Sequence, residues 1–184
     1  MAPACIHRVT FQRMVHPIRL YGAEVLEKPS EPLANISDVE IRLVQDMVET
    51  MYKASGVGLA APQVGVAKRI MVTDPTAGEK KNQIITIVNP EIVASEGEQF
   101  EDEGCLSLPG FSAVVRRPQK VILRGLDLEG KEITVEGENL LARAFCHEMD
   151  HLNGVLFLEH LSFLKRDMIK RKIRKLMKQG EWER

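Results

Sequence analysis

Apolar residues recur along this chain with two periods, one near 3.6 and one near 2, and the order in which they alternate decides the fold class. Ile41, Val44, Val48 and Met51 share one face of a helix. Ser37 precedes Glu40 by the three residues of a capping box, so the helix is predicted to open at Ser37; it should stop near Gly56. Short β-rich runs follow at 69–73, 84–88, 121–123 and 133–135, punctuated by turn signals such as Asp74-Pro75 and Asn89-Pro90. These read as small antiparallel strands. A second helix opens after Glu138-Asn139, carries Leu140, Leu141, Ala144 and Phe145, and ends near Gly154. A third runs from about Ser162 to Gln179, with Leu161, Leu164, Met168, Ile169, Leu176 and Met177 available for its apolar face. Helices at both ends with strands between them predict an α+β fold rather than regular βαβ winding. The strands are expected to pack around the second helix, with one helix N-terminal to them and a basic one C-terminal.

Composition narrows the picture. A length of 184 residues suits one domain, expected here over 15–184 behind a flexible extension at 1–14. Apolar residues at 44% and charged residues at 28% are an ordinary globular mixture, and the net charge of −1 argues against nucleic-acid binding by the chain as a whole. No apolar run approaches the roughly 20 residues that cross a bilayer, so no membrane association is expected. Cys5, Cys105 and Cys146 are too few, and odd in number, for a disulfide framework. They suit a reducing compartment, which predicts a cytoplasmic protein. Arg8, Arg13 and Arg19 precede the first acidic residue, Glu24, without the apolar core of a secretory signal. That start reads either as the remnant of an organellar transit segment, though one poor in serine, or as a leader to a true start at Met14.

The strongest chemical signal is His147-Glu148-Met149-Asp150-His151 on the second helix. Residues four apart project from nearly the same face, so His147 and His151 can hold one cation through two imidazoles. Glu148 lies about 100° around the helix. It can reach a water at that cation without being a ligand, as a general base must. A catalytic metal normally takes three protein ligands, and the third decides the class. A metzincin protease would place a histidine six residues after the second one, and that position is Phe157. A thermolysin-like site needs a downstream glutamate, but Glu159 is too near and Glu181 and Glu183 lie at the chain's end.

The remaining candidate lies upstream, in Glu103-Gly104-Cys105-Leu106-Ser107-Leu108-Pro109. Alone, Cys105 reads as a small buried hydrophobe. Beside a two-histidine helix it reads as a thiolate ligand, completing a tetrahedral site with one open position. Another segment, Gly56-Val57-Gly58-Leu59-Ala60-Ala61-Pro62-Gln63, matches a dinucleotide-binding pattern literally. It follows a helix instead of a strand, and Pro62 falls where the cofactor helix would open, so no nucleotide cofactor is expected. Two readings stay open: Gln63 donates its amide to a developing oxyanion beside a small-residue substrate groove, or the segment is a helix stop with an incidental glutamine.

Taken together and in this order, the segments 56–63, 103–107 and 147–151 resemble the three signature motifs of peptide deformylases. The resemblance runs from Ile18 into the final helix, and the long basic ending is similar to the bacterial first type. It implies a metallohydrolase that removes the formyl group from N-formylmethionyl nascent peptides. Cys105, His147 and His151 would hold the metal, natively ferrous iron, with zinc, nickel or cobalt able to replace it. Glu148 would take a proton from the attacking water and later deliver it to the leaving amine. Gln63 and the backbone amide of Leu106 would stabilise the oxyanion, and the backbone at Val57 and Gly58 would pair with the substrate as an added strand. A Glu103–Arg117 ion pair would support the cysteine loop.

Some residues keep more than one reading. Arg143, one turn before His147, either lines the methionine pocket with its stem or reaches the peptide. Cys146 has no assigned role, and Asp150 is expected to support the helix rather than bind the metal. A metalloendopeptidase lacks its third ligand here, and a closed structural zinc site lacks a fourth. The last helix carries Lys165, Arg166, Lys170, Arg171, Lys172, Arg174, Lys175 and Lys178 against Asp167 alone. That face is either simply solvated or a phosphate-contacting surface that docks on the ribosome.

Overall fold

Two helices cover opposite faces of one sheet, and the two-residue alternation of its strands sorts side chains between them. The computed structural model describes residues 13–81 and 83–182. In chain order these form α1 (Asp38–Lys53), β1 (Gly58–Ala60), β2 (Ile70–Thr73), β3 (Ile85–Glu96), β4 (Gln99–Gly104), β5 (Ser112–Arg117), β6 (Lys120–Leu126), β7 (Glu132–Glu138), α2 (Leu140–Leu152) and α3 (Phe163–Gln179). Short 3-10 turns occupy Glu24–Leu26, Ala61–Val64 and Phe157–His160. Five strands make an antiparallel sheet in the order β1-β2-β3-β6-β7, and β4 pairs with β5 as a separate hairpin. The α+β expectation holds.

Leu59, Ile70, Val72 and Val88 point to one face, where α1 packs Val44, Met47, Val48 and Met51 on them. Their neighbours Ala60, Met71 and Ile87 point to the other face and meet Phe145, Met149 and Leu152 of α2. β1 and β2 are therefore buried throughout. β6 buries only alternate residues, because α2 covers one face of it and water the other. A third apolar cluster joins the hairpin, the turn at 157–160 and α3 through Val115, Phe157, Leu158, Ile173 and Trp182.

α1 opens with the expected capping box: Ser37 N donates to Glu40 Oε2 at 2.9 Å, and Val39 N donates to Ser37 Oγ at 3.3 Å. Two departures have clear causes. The turn expected at Asn89-Pro90 is a bulge inside one long strand, β3, with Asn89 at φ 51°. The Asn89 side chain holds Leu33 N and O at 2.8 Å each, and a bulge is where a strand tolerates the missing N–H of Pro90. The strands β1, β4 and β5 carry no alternating signal of the expected kind; β4 is Gln-Phe-Glu-Asp-Glu-Gly, an acidic run of poor strand propensity.

Residues 1–12 of the expected extension lie outside the described residues, as does Cys5. At its end Met14 N donates to Asp46 Oδ1 at 2.8 Å and His16 N to Thr50 Oγ1 at 2.9 Å, so the chain already lies along α1 there. Among the described residues no helix is long and apolar enough to cross a membrane.

Candidate metal centre

Three segments far apart in sequence meet where α2 passes β1 and the end of β4. α2 runs through the interior, leaving His147 8% and His151 1% exposed. Their rings stand edge to face with centroids 4.9 Å apart. β4 ends at Gly104 and the chain turns tightly, Leu108 N donating to Cys105 O at 2.9 Å, which turns the Cys105 side chain toward α2. Cys105 Sγ lies 3.2 Å from His151 Nε2, and one donor atom from each of Cys105, His147 and His151 falls within 4.8 Å of the others. A tetrahedral ion with bonds of about 2.0–2.3 Å separates its donors by about 3.3–3.8 Å, so this set fits one after small adjustment. Phe157, at the position where a metzincin would offer a histidine, instead stacks on His147 with centroids 6.5 Å apart.

The opposite edge of His147 is held by charge. Its Nδ1 lies 2.6 Å from Glu103 Oε1, which makes Nδ1 the protonated nitrogen and leaves Nε2 for the site. Arg117 grips Glu103 with Nε at 3.0 Å and Nη2 at 2.7 Å, and reaches Asp150 with Nη1 at 2.8 Å. Burial opposes the charge on Glu103, but hydrogen bonds from His147 and Arg117 bring its carboxyl down to about 2. Burial likewise opposes Arg117, and its two carboxylate partners more than compensate. Burial and the adjacent His147 hold His151 well below the usual imidazole range, so it offers a neutral lone pair.

Glu148 faces the cleft from beside the two histidines. It is 3% exposed, and its Oε2 is buried without a hydrogen-bond partner among the described residues. Burial, reinforced by Glu103 and Asp150, pushes its carboxyl up to about 7 against the pull of His147. Gly58 makes room for it: a β-carbon there would come within 2.4 Å of Glu148 Oε1. Gln63 is 1% exposed and pinned, its Oε1 accepting from Ala60 N at 2.8 Å. Its amide nitrogen is thereby aimed at Ser107 Oγ, 3.3 Å away, and Cys105 Sγ, 3.8 Å away. Capping of the turn at 61–64 by Gln63 Oε1 fits the structural reading of this glutamine, and the aim of its amide nitrogen toward Cys105 fits the functional one.

These groups line a cleft of about 700 Å³. Val57, Gly58, Leu106 and Arg143 border it as well. β1 is the outer strand of its sheet; Asp74 N takes Val57 O at 2.9 Å, so by ladder alternation the carbonyl of Gly58 turns to the open side. Arg143 borders the cleft, and its Nη1 lies 3.9 Å from Glu101 Oε2 on β4. Cys146 lies on the far side of α2, in the core with Met71 and Phe145, where burial raises its thiol to about 11. Sequence reasoning assigns no role at this site to Phe157, His160 or Ser107, although Ser107 lies within the 103–107 motif, since each acts through what it touches across the fold.

The polypeptide deformylase family model matches residues 15–167 of this chain. The chain is 48% identical over 169 residues to a peptide deformylase of Acidobacterium capsulatum, spanning 92% of this chain and 99% of that one. It is 48% identical over 157 residues to a peptide deformylase of Thermodesulfovibrio yellowstonii, spanning 85% and 95%. The fold is similar to the crystal structure of a peptide deformylase from Legionella pneumophila, with a TM-score of 0.84, 44% identity, and coverage of 92% and 99%.

Proposed function

Because this chain belongs to the peptide deformylase family, metallohydrolases that remove N-terminal formyl groups, we propose that its cleft deformylates the N-terminal formyl-methionine of newly made polypeptides, with the labour divided as follows. Cys105, His147 and His151 hold a divalent cation, ferrous iron by preference with zinc, nickel or cobalt as substitutes, which when bound supplies Lewis acidity for the formyl carbonyl and for water. Glu148 accepts the proton of the attacking water at its unpartnered Oε2 and returns it to the leaving amine; a carboxyl near neutral range suits both transfers. The Gln63 amide, with the backbone N–H of Leu106, donates to the oxygen that gains charge as the formyl carbon becomes tetrahedral. The backbone around Val57 and Gly58 receives the substrate as an added strand, Gly58 through its carbonyl on the open edge of β1, orienting the reacting carbon. The stem of Arg143 and neighbouring apolar groups form one wall of the pocket for the methionine side chain.

The observation that carries this reading is the convergence of the three donors within 4.8 Å in a cleft walled by Glu148 and Gln63. The test is formate release from a formyl-methionyl peptide by anaerobically purified protein, with metal measured on the same sample. Release that tracks bound iron, and no cleavage of the acetylated peptide, is the expected result; hydrolysis of internal peptide bonds would revive an endopeptidase.

A docking role for α3 is proposed with it. Arg166 and Lys170 pair with Glu159, and Arg171 and Arg174 with Asp167. Lys165, Lys172, Lys175 and Lys178 have no carboxylate partner among the described residues, and these free charges support salt-sensitive contact with ribosomal phosphates.

A further inference from the structure

The turn Phe157–His160 touches the metal-ligand helix at two points, and both lead to His147. Phe157, 1% exposed, stacks on the His147 ring at an interplanar angle of 27°. Three residues on, His160 Nε2 lies 2.6 Å from Asp150 Oδ2 and 3.3 Å from Arg117 Nη1. Arg117 Nη1 is itself 2.8 Å from the same Asp150 oxygen. A guanidinium only donates, so the approach of two nitrogens to one carboxylate oxygen requires that His160 Nε2 carry a proton. The 3.3 Å contact is then two donors side by side on a shared acceptor.

We propose that His160 is a positioning residue for His147, acting through Asp150, Arg117 and Glu103; this rests on the reading of His147 as a metal ligand. The chain of contacts is continuous from the surface inward. The side chain of His160 is 36% exposed, that of Asp150 18%, and that of Arg117 5%. Asp150 is the most exposed link between His160 and His147, so His160 is what keeps its carboxylate turned to Arg117. Released, Asp150 rotates outward and leaves Nη1 of a buried guanidinium without its strongest acceptor. Arg117 then loosens its two-point grip on Glu103, and the acceptor that orients the His147 ring moves with it. His151 touches the His147 ring edge to face, but its Nε2 lies on Cys105 and not on Asp150, Arg117 or Glu103, so the disturbance falls first on His147. Partners that orient a metal-binding imidazole directly are worth about 10–100-fold in affinity, and His160 stands further out, so an effect of about 3–10-fold is expected.

The experiment uses the full-length protein loaded with cobalt, comparing wild type with His160→Gln, which can still donate to Asp150, and with His160→Leu and His160→Ser, which cannot reach it with a donor. Three quantities are read: the visible spectrum of the bound cobalt, the rate of its loss to excess EDTA, and kcat and KM on a formyl-methionyl peptide. His160→Leu and His160→Ser are expected to lose cobalt about 3–10-fold faster with shifted ligand-field bands, and to lower kcat at unchanged KM, while His160→Gln stays near wild type. Wild-type spectra and release rates in both Leu and Ser variants, or a Gln variant as impaired as they are, would overturn the proposal. Failure of the wild-type protein to take up cobalt would overturn the ligand reading itself, and this inference with it.

Discussion

α2 and α3 are both amphipathic and both rich in charged or ionisable side chains, yet they use those side chains in opposite ways. Nine of the thirteen residues of α2 are buried, among them His147, Glu148 and His151, whereas only Ile173 of the seventeen in α3 is. Burial forces polar groups of α2 into specific partnerships, His147 on Glu103 and Asp150 on Arg117, while Glu148 faces the cleft beside Gly58. Breaking such a pair leaves a desolvated charge and costs about 3–5 kcal/mol. The ion pairs of α3 stand in water, where a pair contributes about 0–1 kcal/mol. The proposed metal site sits on the helix that the fold encloses, at the wall of the cleft, and the helix that water surrounds keeps its charges exposed.

The sharpest break of this contrast is at the thiol. Cys105→Ser is expected to abolish both bound metal and formate release, while Cys146→Ser, a change in the core beside the same helix, keeps both; metal analysis and a formate assay on anaerobically purified protein decide it. Metal loss in Cys146→Ser alone would mean the ligand set is drawn wrongly. Next in size, Glu148→Gln should keep stoichiometric metal and lose about 10²–10⁴-fold in kcat, because the substitution removes a proton acceptor and leaves the donor set intact.

Arg117→Leu separates stability from catalysis. It strands Glu103 and Asp150 and should destabilise the fold by about 3–5 kcal/mol in urea titration. It should also flatten the acid limb of stability. The Glu103 carboxyl is lowered from the usual 4.5 to about 2 in the folded protein, so its contribution is complete above pH 4.5 and is lost as pH falls toward 2. The melting temperature of wild type should drop through that window, and that of Arg117→Leu should drop less.

The smallest effect on the enzyme itself belongs to α3. Replacing Lys165, Lys172, Lys175 and Lys178 with glutamine should leave stability within about 0.5 kcal/mol and peptide hydrolysis unchanged. Cosedimentation with ribosomes should nevertheless weaken, and its salt dependence become shallower. Cosedimentation identical to wild type across a salt series would reduce α3 to a solvated face.

What could be read without the fold is what near neighbours encode. Ser37 and Glu40 are three residues apart, His147 and His151 four, and the stripe of α1 repeats within a turn, so local geometry alone specifies these elements. The three motifs, read together, also carried the resemblance to a family that the chain proves to belong to. Other features required the folded chain. The hairpin β4–β5 escapes any reading of local pattern because its acidic first strand is held by pairing and by Gln99 and Glu103 turned inward, not by propensity. The contact of Gln63 with Cys105 spans 42 residues and that of Glu103 with His147 spans 44. Such pairs form only when sheet register and helix packing bring the segments together, so how closely Cys105 approaches the two histidines, which carboxylate is pushed up and which is pulled down, and what His160 touches were decided by tertiary structure. Periodicity is a property of a few successive residues, whereas burial and distance belong to the whole closed chain.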